Sequence, residues 1–284
     1  MAKVVRNLKD SQREFLTVFR ELCYTRSTWQ VWSDFINMAA ISISNACDRT
    51  SAQRQEREDC YLKIAKGYSK AELDSIVKML GIVVSALEAE PDQDFLGDLF
   101  MALELGNHWK GQFFTPYSVC RMMAEIQMSD MDATLKRRGW VSINDCACGA
   151  GALLIAARNV MMRKGVDWST SALFVAQDID RTAALMCYIQ LSFLGCAGYV
   201  VVADTLTQPL TGSVLAPCPE DYHDVWYMPC FYTLVWHYRR IGAQMDILFR
   251  NVEMQVPVQQ PVPAAPPEPE QTLTETKTGQ LSIF

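Results

Sequence analysis

A glycine-rich turn joins a predicted strand to a predicted helix near the middle of this chain. The turn spans 145–153, with the sequence Asp-Cys-Ala-Cys-Gly-Ala-Gly-Ala-Leu, and it directly follows the apolar stretch 140–144. Gly149 and Gly151 carry no Cβ, so the backbone can approach a ligand closely there, and the start of the following helix offers free N–H groups. By itself this pattern is equally typical of a plain tight turn, and neighbouring residues must decide between the two.

Two aspartates follow the next two predicted strands. Asp178 closes the apolar stretch 172–177, where a carboxylate can accept hydrogen bonds from both hydroxyls of a ribose. Asp204 closes the stretch 199–203 in the equivalent place, within reach of an adenine ring. The two carboxylates favour a nucleoside site over a plain turn.

A predicted helix start precedes the glycine-rich turn. Thr115 is expected to be the N-cap and Pro116 the first helical residue. The residues expected to share its apolar face are Val119, Met122, Met123 and Ile126. A carboxylate such as that of a methionine group can dock at such a helix end. Together with the turn and the two aspartates, this helix start predicts a site for S-adenosylmethionine (AdoMet).

These segments resemble the N6-adenine DNA methyltransferases typified by the modification subunits of type I restriction-modification systems. The resemblance rests on Gly-Gln-Phe-Phe-Thr-Pro at 111–116, the turn at 145–153, Asp-Ile-Asp at 178–180 and Ala-Asp-Thr-Leu at 203–206. It covers roughly residues 10–206, and Cys146 stands where the family usually has proline.

The resemblance implies a role for each part of the cofactor site. Thr115, Asp145, Gly149 and Gly151 would frame the methionine end of AdoMet, with the ribose at Asp178 and the adenine at Asp204. The candidate cofactor-binding residues are Phe114, Thr115, Pro116, Asp145, Ala147, Gly149, Gly151, Asp178, Ile179 and Asp204.

Family members also carry an Asn-Pro-Pro-Tyr/Phe motif after the following strand. Its asparagine oxygen and a backbone carbonyl accept hydrogen bonds from the amine of a flipped-out adenine, while the aromatic ring stacks on the base. The nearest candidate here is Met228-Pro229-Cys230-Phe231, in which a thioether, only a weak acceptor, replaces the amide. We identify Met228, Pro229 and Phe231 as the candidate catalytic residues of a degenerate motif.

The last five residues resemble the short peptide by which bacterial replication and repair proteins bind the sliding clamp. They are Gln280, Leu281, Ser282, Ile283 and Phe284. The apolar side chains would anchor in a groove, and Gln280 would add a directional hydrogen bond. A proline-rich stretch over 253–279 precedes them and is expected to be an extended, disordered linker.

Composition limits the classes of protein to consider. The net charge is −6, from 26 basic and 32 acidic residues, so charge alone would not hold the chain on DNA, and a clamp would supply that proximity. The ten cysteines show no zinc-site spacing, so no metal site is predicted. Since no stretch resembles a membrane span or a signal peptide, the expected location is the cytoplasm.

The order of elements predicts an α/β protein. Residues 1–106 are expected to form a helical domain, with capping boxes at 11–14 and 69–72 and with Asp92 capping a later helix. Residues 107–252 alternate strand and helix, which predicts a Rossmann-like sheet. Only about 50 residues lie between Asp204 and the linker, so the sheet is expected to be truncated on its substrate side.

Three hypotheses for function remain open on these grounds. The first is an AdoMet-dependent DNA methyltransferase of the N6-adenine type, tethered to the sliding clamp, with an altered catalytic loop or with its substrate half supplied by a second subunit. The second is a catalytically inactive AdoMet-binding interaction module derived from such an enzyme. The third is methylation of RNA or protein.

Overall fold

The computed structural model describes residues 8–48, 53–105, 114–255, 274–275 and 281–282, and side chains as far as residue 249. The chain divides into one unit over Met1–Gln244 and a second over Met245–Phe284. Within the described residues, no helix combines the length and the apolar character needed to cross a bilayer.

Helices make up the first part of the larger unit. They are α1 (Asp10–Leu22), α2 (Thr28–Cys47), α3 (Arg54–Ala65), α4 (Lys70–Ala89) and α5 (Phe95–Ala102). The capping box expected at Ser69 is confirmed, because its hydroxyl accepts from the Glu72 amide while the Glu72 carboxylate accepts from the Ser69 amide. The other two predicted starts are wrong: α1 begins after Lys9, and α5 is capped by Asp94 rather than by Asp92.

A small sheet with its helical connections follows. Its helices are α6 (Tyr117–Gln127), α7 (Met131–Arg138), α8 (Ala152–Arg163), α9 (Trp168–Ser171), α10 (Arg181–Phe193) and α11 (Leu234–Gln255). Its strands are β1 (Val141–Asp145), β2 (Ala172–Asp178), β3 (Ala197–Val202) and β6 (Asp224–Tyr227), and a two-stranded ribbon of β4 (Thr211–Ser213) and β5 (Ala216–Cys218) lies between the last two. In the second unit, β7 (Thr274–Glu275) pairs antiparallel with β8 (Leu281–Ser282).

The main sheet has the order β1-β2-β3-β6. The first three strands are parallel, with Val141 opposite Ala172 and Leu173 opposite Ala197, and their ends therefore meet at one end of the sheet, which we call the carboxyl end. β6 is antiparallel to β3. β2 and β3 are almost continuously apolar because both faces of the sheet are covered. The predicted α/β class, with a helical region before a Rossmann-like sheet, is confirmed.

One core joins the N-terminal helices to the sheet. Phe15 of α1, Trp32 of α2 and Leu99 of α5 belong to the same buried cluster as Phe174 of β2 and Cys187 of α10. The opposite face of the sheet is covered by a second cluster that includes Trp140, Phe231 and Trp236. The predicted division at residue 106 thus separates two parts of one core, and the domain boundaries stay a prediction.

The two outer strands of the sheet differ in how their edges are covered. On β6, the buried Arg57 of α3 donates a hydrogen bond of 2.8 Å to the carbonyl oxygen of Val225. On β1, Ser142 and Asn144 are exposed, and no strand in the described part of the chain pairs with the edge that faces away from β2. β1 is therefore an edge strand of the sheet, and the glycine-rich turn follows it directly.

The start and the buried face of α6 differ from the prediction. Pro116 is the N-cap, and Thr115 precedes the helix without a capping hydrogen bond. Cys120 and Ala124 form the buried face, whereas three of the four residues expected to share an apolar face are exposed: Val119, Met122 and Ile126. Small residues face inward because α6 packs closely along α8.

Candidate cofactor site

The glycine-rich turn lies across the carboxyl ends of β1 and β2. It leaves β1 at Asp145 and enters α8 at Ala152. The Cys148 amide donates a 3.0 Å hydrogen bond to the Gln177 carbonyl, and the Gly149 amide donates one of 2.8 Å to Oδ2 of Asp178. The turn is therefore held by the strand whose final carboxylate is the predicted ribose ligand.

Both glycines of the turn have backbone conformations that favour glycine. Gly149 has φ of 53° and Gly151 has φ of 94°. A Cβ on Gly149 would lie 3.1 Å from the Phe114 ring, and one on Gly151 would lie 2.8 Å from Sγ of Cys187. The glycines thus allow the turn to pack against Phe114 on one side and α10 on the other.

The carboxylates at the strand ends have different surroundings. Burial raises the pKa values of Asp178 and Asp145. The negative charge of Asp178 raises the pKa of Asp145 further. The second oxygen of Asp178 accepts from the Asp180 amide at 2.8 Å. Asp204 is solvated, and hydrogen bonds from the Leu206 backbone and from Thr207 lower its pKa.

A hydrogen bond brings the segment after β3 against the turn. Thr205 Oγ1 donates to the Cys146 carbonyl oxygen at 2.6 Å. The predicted ribose ligand Asp178, the predicted adenine ligand Asp204 and the turn are therefore neighbours at the carboxyl end of the sheet. Ile179 directly follows Asp178 and has 72% of its surface exposed, so it offers an apolar surface beside the predicted ribose ligand.

A cavity of about 240 Å³ lies under the turn. Its lining includes five of the ten predicted cofactor residues: Phe114, Thr115, Asp145, Ala147 and Gly149. The other five, Pro116, Gly151, Asp178, Ile179 and Asp204, lie outside the lining. The cavity is therefore the candidate place for the methionine end, with the nucleoside toward Asp178 and Asp204.

Sequence reasoning missed two residues of this site. Asp94 lines the cavity, and Oδ1 of its carboxylate accepts from Nε2 of Gln190 at 2.8 Å. The same nitrogen donates to the Ala150 carbonyl oxygen at 2.9 Å, while Oε1 of Gln190 accepts from the Leu96 amide. In the sequence Asp94 is as good a cap as Asp92, and nothing there pairs Asp94 with Gln190.

The candidate catalytic residues lie at the other end of the sheet. Tyr227 is opposite Tyr199 near the start of β3, and the Met228 amide donates to the Gly198 carbonyl oxygen. Met228 is fully buried and Phe231 is buried against Tyr227. They are separated from the glycine-rich turn by the length of β3, roughly 20 Å for six residues. The catalytic role of Met228, Pro229 and Phe231 stays a prediction, and these residues lie at the end of the sheet opposite the glycine-rich turn.

The electrostatics of the cavity fit AdoMet. Its described lining contains the carboxylates of Asp94 and Asp145 and no lysine, arginine or histidine. AdoMet carries a sulfonium and an ammonium group against one carboxylate, so its net charge is positive, and carboxylates with raised pKa values gain from a nearby cation. Glycine-rich backbone, an apolar wall at Phe114 and two carboxylates make this cavity the candidate cofactor site expected of an AdoMet-dependent methyltransferase.

Comparison with known proteins places the chain in a particular group of these enzymes. The chain belongs to the N-6 DNA methylase family, which matches residues 93–252. The resemblance drawn from the motifs is thereby confirmed, and AdoMet is the cofactor that this family implies for the chain.

Two further comparisons concern solved structures and curated protein sequences. A crystal structure from Listeria monocytogenes, described as a class I S-adenosylmethionine-dependent methyltransferase, aligns with a TM-score of 0.37 at 14% identity, over 84% of this chain and 70% of that one. No curated protein sequence matches the chain significantly.

Proposed function

We propose that this chain binds AdoMet for methylation of the N6 amino group of adenine in DNA. The proposal is carried by one observation: a cation-accepting cavity and two strand-end aspartates meet around the glycine-rich turn in a chain of the N-6 DNA methylase family. When bound, AdoMet supplies an activated methyl group. The chain's own residues hold and orient it.

Four of the predicted cofactor residues have distinct tasks in this proposal. Asp178 accepts from the ribose hydroxyls, since each of its oxygens keeps a lone pair beyond its one backbone hydrogen bond. Asp204 accepts from the adenine amine, and Ile179 covers one face of the ring. Phe114 closes the cavity beneath Gly149, where its ring stacks on Phe100 at 5.2 Å.

We place the acceptor half of the site on a second subunit, beside β1. In the described residues no asparagine motif reaches the turn, because the segment that carries Met228 lies at the far end of the sheet. The outer edge of β1, which is unpaired among the described strands, adjoins the turn and can accept another strand. The subunit that fills it would supply target recognition and the groups that aim the adenine amine.

Replacement of Asp178 tests the enzymatic proposal. Asp178→Ala removes two charge-assisted hydrogen bonds to the ribose and is expected to weaken AdoMet binding about 100-fold. Asp178→Asn, which keeps one acceptor oxygen, should weaken it less. Binding is measured by calorimetry, and methyl transfer by N6-methyladenine in digested DNA, with and without candidate partners. Asp132→Ala, an exposed aspartate on α7, is the control and should bind normally.

Two results would contradict the proposal in different ways. If the unaltered chain binds no AdoMet, the cofactor site itself is wrong. If it binds AdoMet but no DNA acquires a methyl group with any partner, the second candidate function holds: an AdoMet-binding interaction module without catalysis. The burial of Met228 and Phe231 away from the site favours that candidate for the isolated chain.

We further propose that the C-terminal peptide tethers the chain to a sliding clamp. Leu281 and Ser282 pair with Thr274 and Glu275, while Gln280, Ile283 and Phe284 lie outside the described residues. The support is the pattern of apolar anchors beside a glutamine.

Deletion of residues 280–284 tests the tether. Removal of the anchors is expected to abolish binding of the chain to an immobilised clamp, measured by surface plasmon resonance, while AdoMet binding is unchanged. A variant with alanines at 276–278 is the matched control, because it alters the neighbouring residues and spares the peptide. Equal clamp binding by the deletion variant and the full chain would refute the tether.

A further inference from the structure

The carboxylate of Asp94 is buried where it meets the cofactor cavity. Asp94 is 3% exposed and caps α5, with Oδ1 accepting from the Gly97 amide at 2.9 Å and from Nε2 of Gln190 at 2.8 Å. A Cβ on Gly97 would lie 2.0 Å from Oδ2, so only glycine leaves room for this carboxylate. The side chain is therefore held in one position at the cavity wall.

The second carboxylate oxygen of Asp94, Oδ2, is free of hydrogen bonds from the described residues. No hydrogen bond to Oδ2 occurs among the residues that the structure describes, and no basic side chain lines the described cavity wall. Among the residues whose positions are described, the ionisable groups around it are Asp98 on α5, Cys120 on α6, Asp145 on β1 and Cys148 in the turn. All of them are neutral or negative, so they offer no counter-charge, and a buried carboxylate without one is costly.

We propose that Asp94 is the counter-ion of the ammonium group of the methionine moiety of AdoMet. The assignment rests on the proposed function, which places the methionine end of AdoMet in this cavity. An ammonium group has three donors and no acceptor, and Oδ2 offers the acceptor that the cavity wall provides beside Asp145. The α5 cap thus takes part directly in ligand recognition.

The same contact links the helical region to the cofactor turn. Gln190 donates to both Asp94 and the Ala150 carbonyl oxygen, so the position of the carboxylate is fixed relative to the turn. A ligand held between Asp94 and the turn would therefore strengthen the packing of α5 against the turn. Asp94 is therefore a specificity residue for amino-acid-bearing adenosine ligands.

A cycle of two ligands and two proteins tests the assignment. The ligands are S-adenosylhomocysteine and 5′-S-(3-carboxypropyl)-5′-thioadenosine, which lacks only the amino group. The variant Asp94→Asn keeps an acceptor for Gly97 and Gln190 and removes the charge. We expect calorimetry to show about 30-fold weaker binding of S-adenosylhomocysteine to the variant and an unchanged affinity, within about twofold, for the analogue.

Other patterns would overturn the assignment. Equal weakening of both ligands means that Asp94 is only a structural cap, and no weakening of either means that the carboxylate does not face the ligand. If S-adenosylhomocysteine fails to bind the unaltered chain, the proposed function fails as well. Asp98→Asn removes a neighbouring charge from the same helix and should leave both affinities within about twofold.

The pH dependence gives a second readout. Burial raises the pKa of Asp94 to about 6, so below that pH the ammonium group of the ligand must displace a proton from the carboxyl. Affinity for S-adenosylhomocysteine should therefore rise between about pH 5 and 7 in the unaltered chain and stay nearly flat in Asp94→Asn. At neutral pH the buried charge of Asp94 destabilises the folded state. The melting temperature of ligand-free Asp94→Asn should therefore be no lower than that of the ligand-free unaltered chain. A fall would indicate disruption of the cap instead.

Discussion

Replacement of Gln190 by methionine is expected to lower the free energy of unfolding by about 3 kcal/mol and to abolish AdoMet binding. The side chain is fully buried and makes three hydrogen bonds, to the Leu96 amide, to Asp94 and to the Ala150 carbonyl oxygen. Methionine has a similar volume, so the loss comes from unpaired buried polar groups rather than from a cavity. The turn also loses its tie to α5.

Chemical denaturation and calorimetry measure the two effects. Met186→Leu, a fully buried position on the same helix, is the control, because it changes shape without removing a hydrogen bond and should cost less than about 1.5 kcal/mol. If Gln190→Met unfolds at the same denaturant concentration as this control, the hydrogen bonds of Gln190 do not determine the stability of the site.

Replacement of Arg57 by alanine should destabilise the protein by about 4 kcal/mol. This guanidinium is 5% exposed, lies 3.8 Å from the Trp226 ring centroid and joins α3 to the outer edge of β6. Its hydrogen-bond acceptors are Ser44 Oγ, Gln53 Oε1, Asp224 Oδ1 and the Val225 carbonyl oxygen. The variant leaves a cavity beside an edge strand and removes the hydrogen bond that covers it.

Arg181 provides the matched control, since it pairs with the other oxygen of the same Asp224 carboxylate. Its side chain is 44% exposed, and water can replace it, so Arg181→Ala should cost less than about 1 kcal/mol. Thermal or urea unfolding compares the two variants. Equal losses would mean that the ion pair with Asp224, rather than burial and the contact with β6, sets the contribution of Arg57.

The turn and its strands were predictable because local sequence determines them. The strand residues around Asp178 form an apolar run that is buried on both faces, and Gly149 and Gly151 adopt positive φ angles. The backbone conformation of these segments depends mainly on the residues next to each other along the chain. The family motifs lie in the same segments, so they predict the turn and its strands.

The placement of β6 was not predictable, because strand pairing is decided by contacts between distant residues. The strand 224–227 directly precedes Met228, and nothing in its sequence reveals that it runs antiparallel beside β3. That choice moves Met228 to the far end of the sheet. Likewise, Asp92 and Asp94 are equally good caps in the sequence, and only the packing of α5 against Gln190 selects Asp94.

The charge of the cavity bears on turnover as well as on binding. Methyl transfer converts a sulfonium cation into a neutral thioether, so the spent cofactor carries one positive charge fewer than the fresh one. If the proposed site holds AdoMet, Asp94 and Asp145, with no basic residue in the described lining, would attract the fresh cofactor more strongly than the spent one. The proposed methyl transfer would thus weaken binding of the product and favour its exchange for another molecule of AdoMet.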